Sequence, residues 1–311
     1  MSEERIVVTG AAGLVGQNLV PRLLGSGFRT ITGIDKHPTN TSTLVAIHPD
    51  VRVIEADLAK DDTWQACLAD CSTLVVGHAQ IGGLTSDEFV RNNIRSTQRL
   101  LEAAVRCRVR YVVHISSSVV NSLAVDDYTE TKKAQEALVA SSGLKHIILR
   151  PTLMFGWFDR KHLGWLARFM QRVPVFPIPG SGRYIRQPLY VGDFCDIIIA
   201  AIRREITGTY NISGQEHIHY IDLIREVKNA TGSRTRIQKV PYSVFWLLLT
   251  MYGVFDRDPP FTTKQLRALV TPDMFEVIDW PGIFGVRATP LRAALEETFR
   301  HPLYSHVVLD F

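Results

Sequence analysis

Short apolar runs alternate with helical patterns along the first half of the chain. Six runs rich in β-branched residues predict strands over Arg5–Thr9, Thr30–Asp35, Val51–Glu55, Thr73–Gly77, Tyr111–Ser116 and His146–Leu149. Apolar residues at helical spacing between them predict helices over Leu14–Leu24, Thr85–Arg106 and Thr129–Ala140. The strand runs are continuously apolar, which is typical of strands covered on both faces. This alternation predicts an α/β fold with a doubly wound parallel sheet.

The pattern becomes irregular after Arg150-Pro151. Five prolines and glycines between Pro174 and Gly182 predict a loop rather than a core element. Farther on, the pattern predicts two short strands and two helices, over Leu189–Val191, Thr209–Ile212, Ile221–Ala230 and Leu291–Arg300. We therefore expect a first domain over residues 1–150, rejoined by about 188–204, and a smaller α+β domain formed mainly by residues 151–311.

Composition excludes several classes of protein. Of 311 residues, 46% are apolar and 21% charged, which excludes a fully disordered or fibrous chain. Lys and Arg number 35 against 31 Asp and Glu, and this balance of +4 is too small and too evenly spread to indicate nucleic-acid binding. The four cysteines, Cys67, Cys71, Cys107 and Cys195, form no Cys-x-x-Cys pair, so we expect reduced thiols and no metal site.

Two segments bear on location. Met1–Glu4 is short and acidic, unlike a signal peptide, so we expect a cytoplasmic protein. The most apolar run, Val244–Phe255, is too short for a membrane span, because the hydrocarbon of a bilayer is ~30 Å thick. We expect this run to form a buried or partner-facing helix, with peripheral membrane contact as the alternative.

A glycine-rich turn follows the first strand and opens the first helix. In Thr9–Gly16, Gly10 permits a tight turn, Gly13 lets the backbone approach a pyrophosphate, and Gly16 allows close helix–strand packing. Free N–H groups at the helix N-terminus then face the phosphates. The sequence therefore predicts dinucleotide binding at Gly10, Ala12, Gly13, Leu14, Val15 and Gly16.

An acidic residue ends the second strand. Asp35 is a natural acceptor for the 2′-hydroxyl of an adenosine ribose, and its charge disfavours a 2′-phosphate. NAD is therefore favoured over NADP, although the neighbouring Lys36 is a cation that leaves NADP open.

A second motif lies downstream of the fifth strand. Tyr128 and Lys132 are four residues apart, so a helix places them on one face. A nearby ammonium favours the phenolate, and we expect it to lower the pKa of Tyr128 towards that of a useful base. The hydroxyl cluster Ser116-Ser117-Ser118 ends a strand, at the edge of the sheet where ligands bind in open α/β folds.

The glycine turn, Asp35, the serine cluster and Tyr128-x-x-x-Lys132 together resemble those of the extended short-chain dehydrogenases/reductases. Within that group the chain most resembles the NAD-dependent epimerase/dehydratase family that acts on nucleotide sugars. The resemblance implies a Rossmann doubly wound sheet with a smaller substrate domain. It also implies NAD as cofactor, with Ser117, Tyr128 and Lys132 as catalytic residues, the last two also contacting the cofactor.

The resemblance implies further contacts and a homodimer. The implied cofactor-binding residues are Asp35, Lys36, Asp57, Leu58, Gly77, His78, Ala79 and Asn93. The implied substrate-binding residues are Ser117, Ser118 and Arg186, with Arg186 on the diphosphate of the nucleotide sugar. The homodimer would form through the helices over Glu88–Arg106 and Thr129–Ala140.

Several positions depart from the family pattern. Ser117 takes the catalytic place if Asn121-Ser122 replaces the usual Tyr-Gly, and Ser118 is the alternative. No Asp-Glu pair follows Ser117, which weakens the resemblance to 4,6-dehydratases. Leu153 stands where epimerases often have a substrate-binding Asn, and Gly192 replaces an acid before Asp193.

These observations predict a nucleotide-sugar 4-epimerase that retains its NAD. A 4-keto reductase and a hydroxysteroid-type dehydrogenase are alternatives within the same superfamily. An alternative of another class is a non-catalytic NAD-binding sensor or assembly subunit.

Overall fold

The computed structural model describes residues 4–122, 126–255, 263–270 and 276–310. The strands are β1 (Arg5–Thr9), β2 (Thr30–Asp35), β3 (Arg52–Glu55), β4 (Thr73–Val76), β5 (Tyr111–Ile115), β6 (His146–Pro151), β7 (Met154–Phe155), β8 (Val175–Pro179), β9 (Ile185–Arg186), β10 (Leu189–Tyr190), β11 (Gly208–Ile212), β12 (Ile218–His219) and β13 (Arg236–Val240). The helices are α1 (Leu14–Gly25), α2 (Pro38–Ile47), α3 (Ser86–Phe89), α4 (Ser96–Arg106), α5 (Asp127–Ser141), α6 (Leu163–Arg172), α7 (Val191–Arg204), α8 (Tyr220–Thr231), α9 (Tyr242–Phe255), α10 (Thr263–Val270), α11 (Trp280–Phe284) and α12 (Leu291–Arg300).

A seven-stranded parallel sheet forms the centre of the molecule, with the strand order β11-β6-β5-β4-β1-β2-β3. In β1, Ile6 lies opposite Ile31 on one side and Thr73 on the other. All six strands predicted from the apolar runs lie in this sheet. The order of strands reverses between β1 and β4, so the expected doubly wound, Rossmann-type architecture is confirmed.

Helices cover both faces of the sheet. On one face α1, α7 and α11 contribute Leu19, Phe194 and Trp280 to a core in which each of these side chains is at most 1% exposed. On the other face Trp64, beside a short 3₁₀ helix, and Leu100 of α4 pack against β1, β4 and β5. Both faces are apolar, which explains why the strands lack a polar face.

The chain returns to this sheet after the irregular segment. β11 pairs in parallel with β6, placing Thr209 opposite Ile148, and α7 packs beside α1. The predicted strand over Leu189–Val191 is correct only for its first two residues, because α7 begins at Val191.

The remaining elements form a second core. Met170 of α6, Ile178 of β8, Ile224 of α8 and Leu295 of α12 are buried together. The prediction of a loop between Pro174 and Gly182 is wrong, because β8 pairs with β13 in a two-stranded ribbon. Prolines are tolerated in such a ribbon, where each strand has a free edge.

The helix predicted to begin near Thr85 is interrupted. α3 passes into a π-helical turn over Val90–Arg95 before α4 begins. Thr85 is the N-cap residue, but its side chain makes no capping bond, and Glu88 instead accepts a hydrogen bond from the Leu84 N–H at 3.0 Å. Thr85 and Glu88 are spaced as in a capping box, but these contacts show that the box is not formed.

The apolar run near residue 250 is helical, as predicted, but its described side chains are not buried. Leu247 and Leu248 of α9 are 53% and 57% exposed. Of the two expected arrangements, the buried helix is therefore wrong, and the partner-facing helix stays a prediction. Among the described residues, no helix is both long and apolar enough to cross a membrane.

Candidate active site

The glycine-rich turn is shaped by two close backbone approaches. Gly10 has φ +67°, and a Cβ atom there would lie 2.7 Å from the carbonyl carbon of Gly77. A Cβ atom on Gly16 would lie 2.5 Å from the carbonyl carbon of Ala11. Only glycine fits at these two positions, which bring α1 and the end of β4 close against the turn.

The N-terminus of α1 is suited to an anion. Its N-cap, Gly13, supplies no side-chain acceptor for the first N–H groups, which belong to Leu14 and Val15. A Cβ atom on Gly13 would meet only the carbonyl oxygen of Gly10, at 3.4 Å, so the space above the helix end is open. These features fit the pyrophosphate of a dinucleotide.

Asp35 is held against this turn. Its Oδ2 accepts a hydrogen bond from the Ala12 N–H at 2.9 Å, and its Oδ1 accepts one from the His37 N–H at 3.1 Å. The carboxylate retains further lone pairs for the hydroxyls of a ribose. Lys36 is exposed beside it.

Asp57 and Leu58 follow β3 at the same edge of the sheet. The Ala56 N–H, just before them, donates to the Asp35 carbonyl oxygen at 2.9 Å. The Asp57 carboxylate accepts from the Ala59 N–H at 2.9 Å, and Leu58 is buried in the core beneath. The loop that carries them therefore lies next to Asp35, as expected for an adenine site.

Gly77, His78 and Ala79 lie directly beyond β4. The Gly77 N–H donates to the Thr9 carbonyl oxygen at 3.2 Å. His78 Nδ1 lies 2.9 Å from Thr9 Oγ1, and its Nε2 lies 3.1 Å from Thr97 Oγ1. Burial, with the charges of Lys132 and Lys36, lowers the pKa of His78 to about 3. A neutral imidazole therefore ties this loop to the glycine turn.

Asn93 shapes the same loop. Its Oδ1 accepts from the Gln80 N–H at 2.6 Å, while its Nδ2 donates to the Gln80 carbonyl oxygen and to Thr131 Oγ1. The side chain is fully buried. The structure thus places Asn93 beneath the loop after Ala79, where its amide groups bond to the protein itself.

Ser117 and Tyr128 meet at the carboxyl end of β5. Ser117 is the N-cap of a short 3₁₀ helix over Ser118–Asn121, and its Oγ accepts from the Val119 N–H at 3.4 Å. The Ser117 side chain is also hydrogen-bonded to Tyr128. Of the two serines left open by the sequence, Ser117 is the one in contact with Tyr128, while Ser118 begins the 3₁₀ helix.

The pKa of Tyr128 is raised, contrary to the expectation from the sequence. Burial disfavours the phenolate more strongly than the hydrogen bond from Ser117 favours it, and the charge of Asp126 acts in the same direction as burial. Lys132 does not offset this burial, because its own pKa is lowered to about 7 and it is largely uncharged at the pH where Tyr128 ionises.

Lys132 is 1% exposed and its Nζ has two protein partners. It donates to the Ile115 carbonyl oxygen at 2.9 Å and to Gln135 Oε1 at 2.8 Å. Burial lowers the pKa of Lys132 to about 7, although Glu136 opposes this shift. The third ammonium proton is available to a ligand over the end of β5.

Gln135 was not singled out from the sequence, although it lies one helical turn beyond Lys132 on the same face. Its Nε2 donates to Thr97 Oγ1 at 2.8 Å. A buried chain of hydrogen bonds thus runs from Lys132 through Gln135 and Thr97 to His78. The sequence did contain a signal for Gln135, namely a polar residue three positions after Lys132, on the same face of a buried helix.

Arg186 lies in β9, next to Tyr184 and Leu269 at the margin of the second core. Its guanidinium donates to the carbonyl oxygens of Ile185, at 2.8 Å, and of Leu269 in α10. It also lies 5.2 Å from the centre of the Tyr184 ring. These contacts place Arg186 between β9 and α10.

Gly192 and Asp193 begin α7. A Cβ atom on Gly192 would lie 2.3 Å from the Tyr190 ring, which explains the absence of an acid at this position. Asp193 accepts from the Thr289 N–H at 3.0 Å, and burial raises its pKa to about 6. Across the described ranges, no group of three His, Cys, Asp or Glu side chains is arranged to hold a metal ion.

A model of the NAD dependent epimerase/dehydratase family matches residues 6–213, more than half of the chain. The low-salt glycan biosynthesis protein Agl12 of Haloferax volcanii is 27% identical over 259 residues, covering 73% of this chain and 82% of that protein. The 3 beta-hydroxysteroid dehydrogenase/Delta 5-->4-isomerase of Mycobacterium tuberculosis is 28% identical over 264 residues, covering 74% of this chain and 70% of that protein.

The fold is shared with solved structures. MoeE5 in complex with UDP-glucuronic acid and NAD has a TM-score of 0.69 at 25% identity, covering 94% of this chain and 97% of that one. Its similarity extends over both cores described above. The glycine turn, the Asp35 carboxylate and the Ser117–Tyr128–Lys132 group thus lie in a framework that binds a dinucleotide in a relative.

Proposed function

This chain belongs to the NAD-dependent epimerase/dehydratase family, and we propose that it is a nucleotide-sugar 4-epimerase that works through a 4-keto intermediate. It is an enzyme of the extended short-chain dehydrogenase/reductase type, and NAD is its cofactor. The 4-epimerisation and the nucleotide-sugar substrate are the parts that the proposal adds.

The observation that carries the proposal is the grouping of Ser117, Tyr128 and Lys132 at the carboxyl end of β5. Ser117 is hydrogen-bonded to Tyr128, and the Lys132 ammonium is fixed one helical turn away by Ile115 and Gln135. A phenol with a hydroxyl partner and a nearby buried cation is suited to removing a proton from an alcohol and returning it.

Each residue has a distinct role in this proposal. Tyr128 accepts the proton of the sugar 4-hydroxyl as the phenolate, a form that the positive charge of a bound nicotinamide would favour, and later returns the proton. Ser117 donates a hydrogen bond to the same oxygen as it becomes a carbonyl. Lys132 holds the nicotinamide ribose with its remaining proton. Bound NAD would supply a reversible hydride acceptor for the C4 hydrogen, so that no cofactor would be consumed.

The residues near the turn favour NAD over NADP. The Asp35 carboxylate lies against the Ala12 N–H, where its charge disfavours a 2′-phosphate. We assign the adenosine end to Asp35, Lys36, Asp57 and Leu58, the pyrophosphate to the start of α1, and the nicotinamide end to the loop of Gly77, His78 and Ala79. Asn93 supports that loop from below.

A nucleotide sugar is the proposed substrate because the similar protein MoeE5 binds UDP-glucuronic acid. Ser118 lies next to Ser117 on the 3₁₀ turn and would face the sugar. Arg186 would bind the diphosphate after exchanging its bond to the Leu269 carbonyl oxygen for one to phosphate. Substrate binding would then move α10 relative to β9.

Three further assignments belong to the proposal. Residues 1–150 with about 188–204 form the cofactor domain, supported by the packing of α7 against α1. β11 and α11 join this domain, because β11 lies in the seven-stranded sheet and α11 packs into its core. The other residues of 151–311 form the substrate domain. Two copies associate through α4 and α5 as a homodimer. The protein works in the cytoplasm.

The experiment is to purify the protein, release its bound small molecules by denaturation, and identify them by mass spectrometry. A second sample is incubated with UDP- and dTDP-hexoses, without added cofactor, and the sugars are analysed for C4 epimers. Tyr128→Phe is the matched variant, because it removes only the phenolic hydroxyl. We expect retained NAD in both proteins and epimers from the unsubstituted protein alone; strict dependence on added NADPH would refute the proposal.

A hydroxysteroid-type dehydrogenase is a second candidate, favoured by the bonding of Arg186. The guanidinium already donates to two backbone carbonyls, and a steroid needs no cation. The mycobacterial relative named as a hydroxysteroid dehydrogenase is similar over 74% of this chain. Hydroxysteroid oxidation that is unchanged in Arg186→Ala would favour this candidate, whereas loss of nucleotide-sugar turnover in Arg186→Ala would favour the epimerase.

A further inference from the structure

Helix α9 presents an apolar surface that the rest of the described structure does not cover. The side chains concerned are each more than a third exposed, and we refer to them as the α9 surface: Tyr242, Val244, Trp246, Leu247, Leu248 and Met251. Only Phe245 and Leu249, which are four residues apart, are partly covered among residues 242–251. The helix therefore contacts the protein along one narrow stripe.

The exposure is unusual because the helix contains no charged residue. Val244, Leu247, Leu248 and Met251 share one face by helical spacing, and Trp246 lies on another. A helix that is apolar all round is normally buried in protein or in lipid. A contiguous exposed apolar patch of this kind marks an interaction site.

Basic residues lead directly into this helix. Arg236 and Lys239 of β13 are exposed, as is Arg234 just before the strand. Within the described ranges, none of these three side chains forms an ion pair. The sequence has no acidic residue between Glu226 and Asp256. Arg236 and Lys239 lie on opposite faces of β13, because they are three residues apart in a strand. We call Arg234, Arg236 and Lys239 together the basic band.

The length of α9 limits what it can enter. Its 14 residues extend over about 21 Å, less than the ~30 Å of bilayer hydrocarbon. A short apolar helix with adjacent cations suits the interface of a bilayer, where the apolar side chains enter the acyl region and the cations meet lipid headgroups.

We propose that α9 docks this protein onto an anionic lipid bilayer, with the α9 surface in the headgroup–acyl boundary and the basic band against acidic headgroups. The positive charge of the band, which no acidic residue between Glu226 and Asp256 offsets, favours acidic headgroups as the occupant. The apolar residues provide affinity for lipid, and the basic band provides the preference for anionic lipid.

Vesicle co-sedimentation tests the proposal with the intact protein. The probes are vesicles of phosphatidylcholine alone and of phosphatidylcholine mixed with phosphatidylglycerol. We expect binding to the mixed vesicles, and at least roughly tenfold weaker binding to phosphatidylcholine or at high salt. The double variant Leu247→Glu/Leu248→Glu removes binding, and Arg236→Glu/Lys239→Glu weakens it to the level of the neutral vesicles.

Leu303→Glu is the matched control, because Leu303 is 52% exposed elsewhere on the surface. It should bind vesicles as the unsubstituted protein does. Near-ultraviolet circular dichroism confirms that each variant is folded. Equal binding by the control and the Leu247→Glu/Leu248→Glu variant would refute a specific role of α9.

Trp246 supplies an independent signal, since it is 45% exposed while Trp64, Trp157 and Trp280 are buried. Mixed vesicles should shift the emission to shorter wavelength, and the shift should vanish in Trp246→Phe. Sedimentation velocity tests the alternative occupant, a second copy of this chain. Dimers that dissociate in Leu247→Glu/Leu248→Glu, together with no vesicle binding by the unsubstituted protein, would show that α9 pairs two copies and would overturn the proposal.

Discussion

Lys132 and Gln135 share a buried hydrogen bond, in which Lys132 Nζ donates to Gln135 Oε1 at 2.8 Å. Both side chains are at most 1% exposed. Gln135 in turn donates to Thr97, which contacts His78 in the loop that follows β4. The orientation of the ammonium is thus coupled to the position of the loop assigned to the nicotinamide.

Gln135→Met should weaken cofactor binding and slow turnover. The substitution removes the side-chain acceptor of Lys132, and a hydrogen bond to a charged group contributes about 1.5–3 kcal/mol, so NAD affinity should fall roughly 10- to 100-fold. Gln135→Glu keeps an acceptor and adds a negative charge, which should raise the pKa of Lys132. The measurements are NAD titration and pH–rate profiles.

The control for Gln135→Met is Gln98→Met, since the Gln98 amide bonds only to Glu102 in a described contact at the surface. It should leave both measurements unchanged. Profiles for Gln135→Met and Gln135→Glu that coincide with that of the unsubstituted enzyme would contradict the positioning role.

The choice between the two serines is tested by alanine substitutions. Ser117→Ala removes the hydroxyl bonded to Tyr128, so kcat should fall by roughly 10²-fold. The bond from Ser117 lowers the pKa of Tyr128, so its loss should also move the ascending limb of the pH–rate profile, which reports ionisation of the base, to higher pH. Ser118→Ala should retain kcat within a few-fold. The reverse result would assign the catalytic hydroxyl to Ser118.

Gly10→Ala should destabilise the protein and impair NAD binding. The left-handed φ of +67° costs a non-glycine residue about 1–2 kcal/mol, and the new Cβ atom would displace the Gly77 backbone. Gly25→Ala is the matched control, because a Cβ atom there meets nothing within 4 Å at the end of α1. Thermal unfolding and NAD titration compare the two. Equal thermal stability and equal NAD affinity of the two variants would show that the turn accommodates a side chain at Gly10 without strain.

The buried ammonium of Lys132 should make stability depend on pH. Its pKa falls from 10.5 to about 7 on folding, which corresponds to a cost of up to about 5 kcal/mol at neutral pH. Between those values the unfolded chain binds more protons, so the contribution of Lys132 to stability improves as pH rises. The difference in unfolding free energy between the unsubstituted protein and Lys132→Met should shift by about 2 kcal/mol in favour of the former from pH 7 to 9.

Urea unfolding at the two pH values measures this shift. Lys133→Met, at an exposed neighbour paired with Glu130, should show none. If the unfolding free energies of the unsubstituted protein and Lys132→Met differ by the same amount at pH 7 and pH 9, the ammonium keeps its ordinary pKa in the folded protein.

Local patterns predicted the cofactor framework well. The six apolar runs, the glycine turn before α1 and Asp35 at the end of β2 each depend on residues close in sequence. The prediction failed where partners are distant. β8 became a strand despite Pro177 and Pro179 because β13, some 60 residues later, supplies its pairing.

In the candidate active site, too, contacts between residues close in sequence could be predicted and contacts between distant residues could not. The spacing of Tyr128 and Lys132 is local and was visible in the sequence. The chain from Gln135 to Thr97 joins residues 38 positions apart, so only the packing of α5 against α4 reveals it. The pKa of Tyr128 could not be predicted from a neighbouring lysine, because burial raises this pKa and also lowers the pKa of Lys132 itself. In α9, apolarity predicted a helix but not its exposure.

The most direct test of the proposed chemistry follows a deuterium atom placed at C4 of UDP-glucose and UDP-glucuronic acid. The sugars are incubated with the enzyme without added cofactor, and the C4 epimers are analysed by nuclear magnetic resonance and mass spectrometry. We expect epimers that keep deuterium at C4, no NADH in solution, and at least roughly 10²-fold slower conversion by Tyr128→Phe. Epimers without deuterium at C4, or conversion that Tyr128→Phe performs at the same rate, would contradict the account.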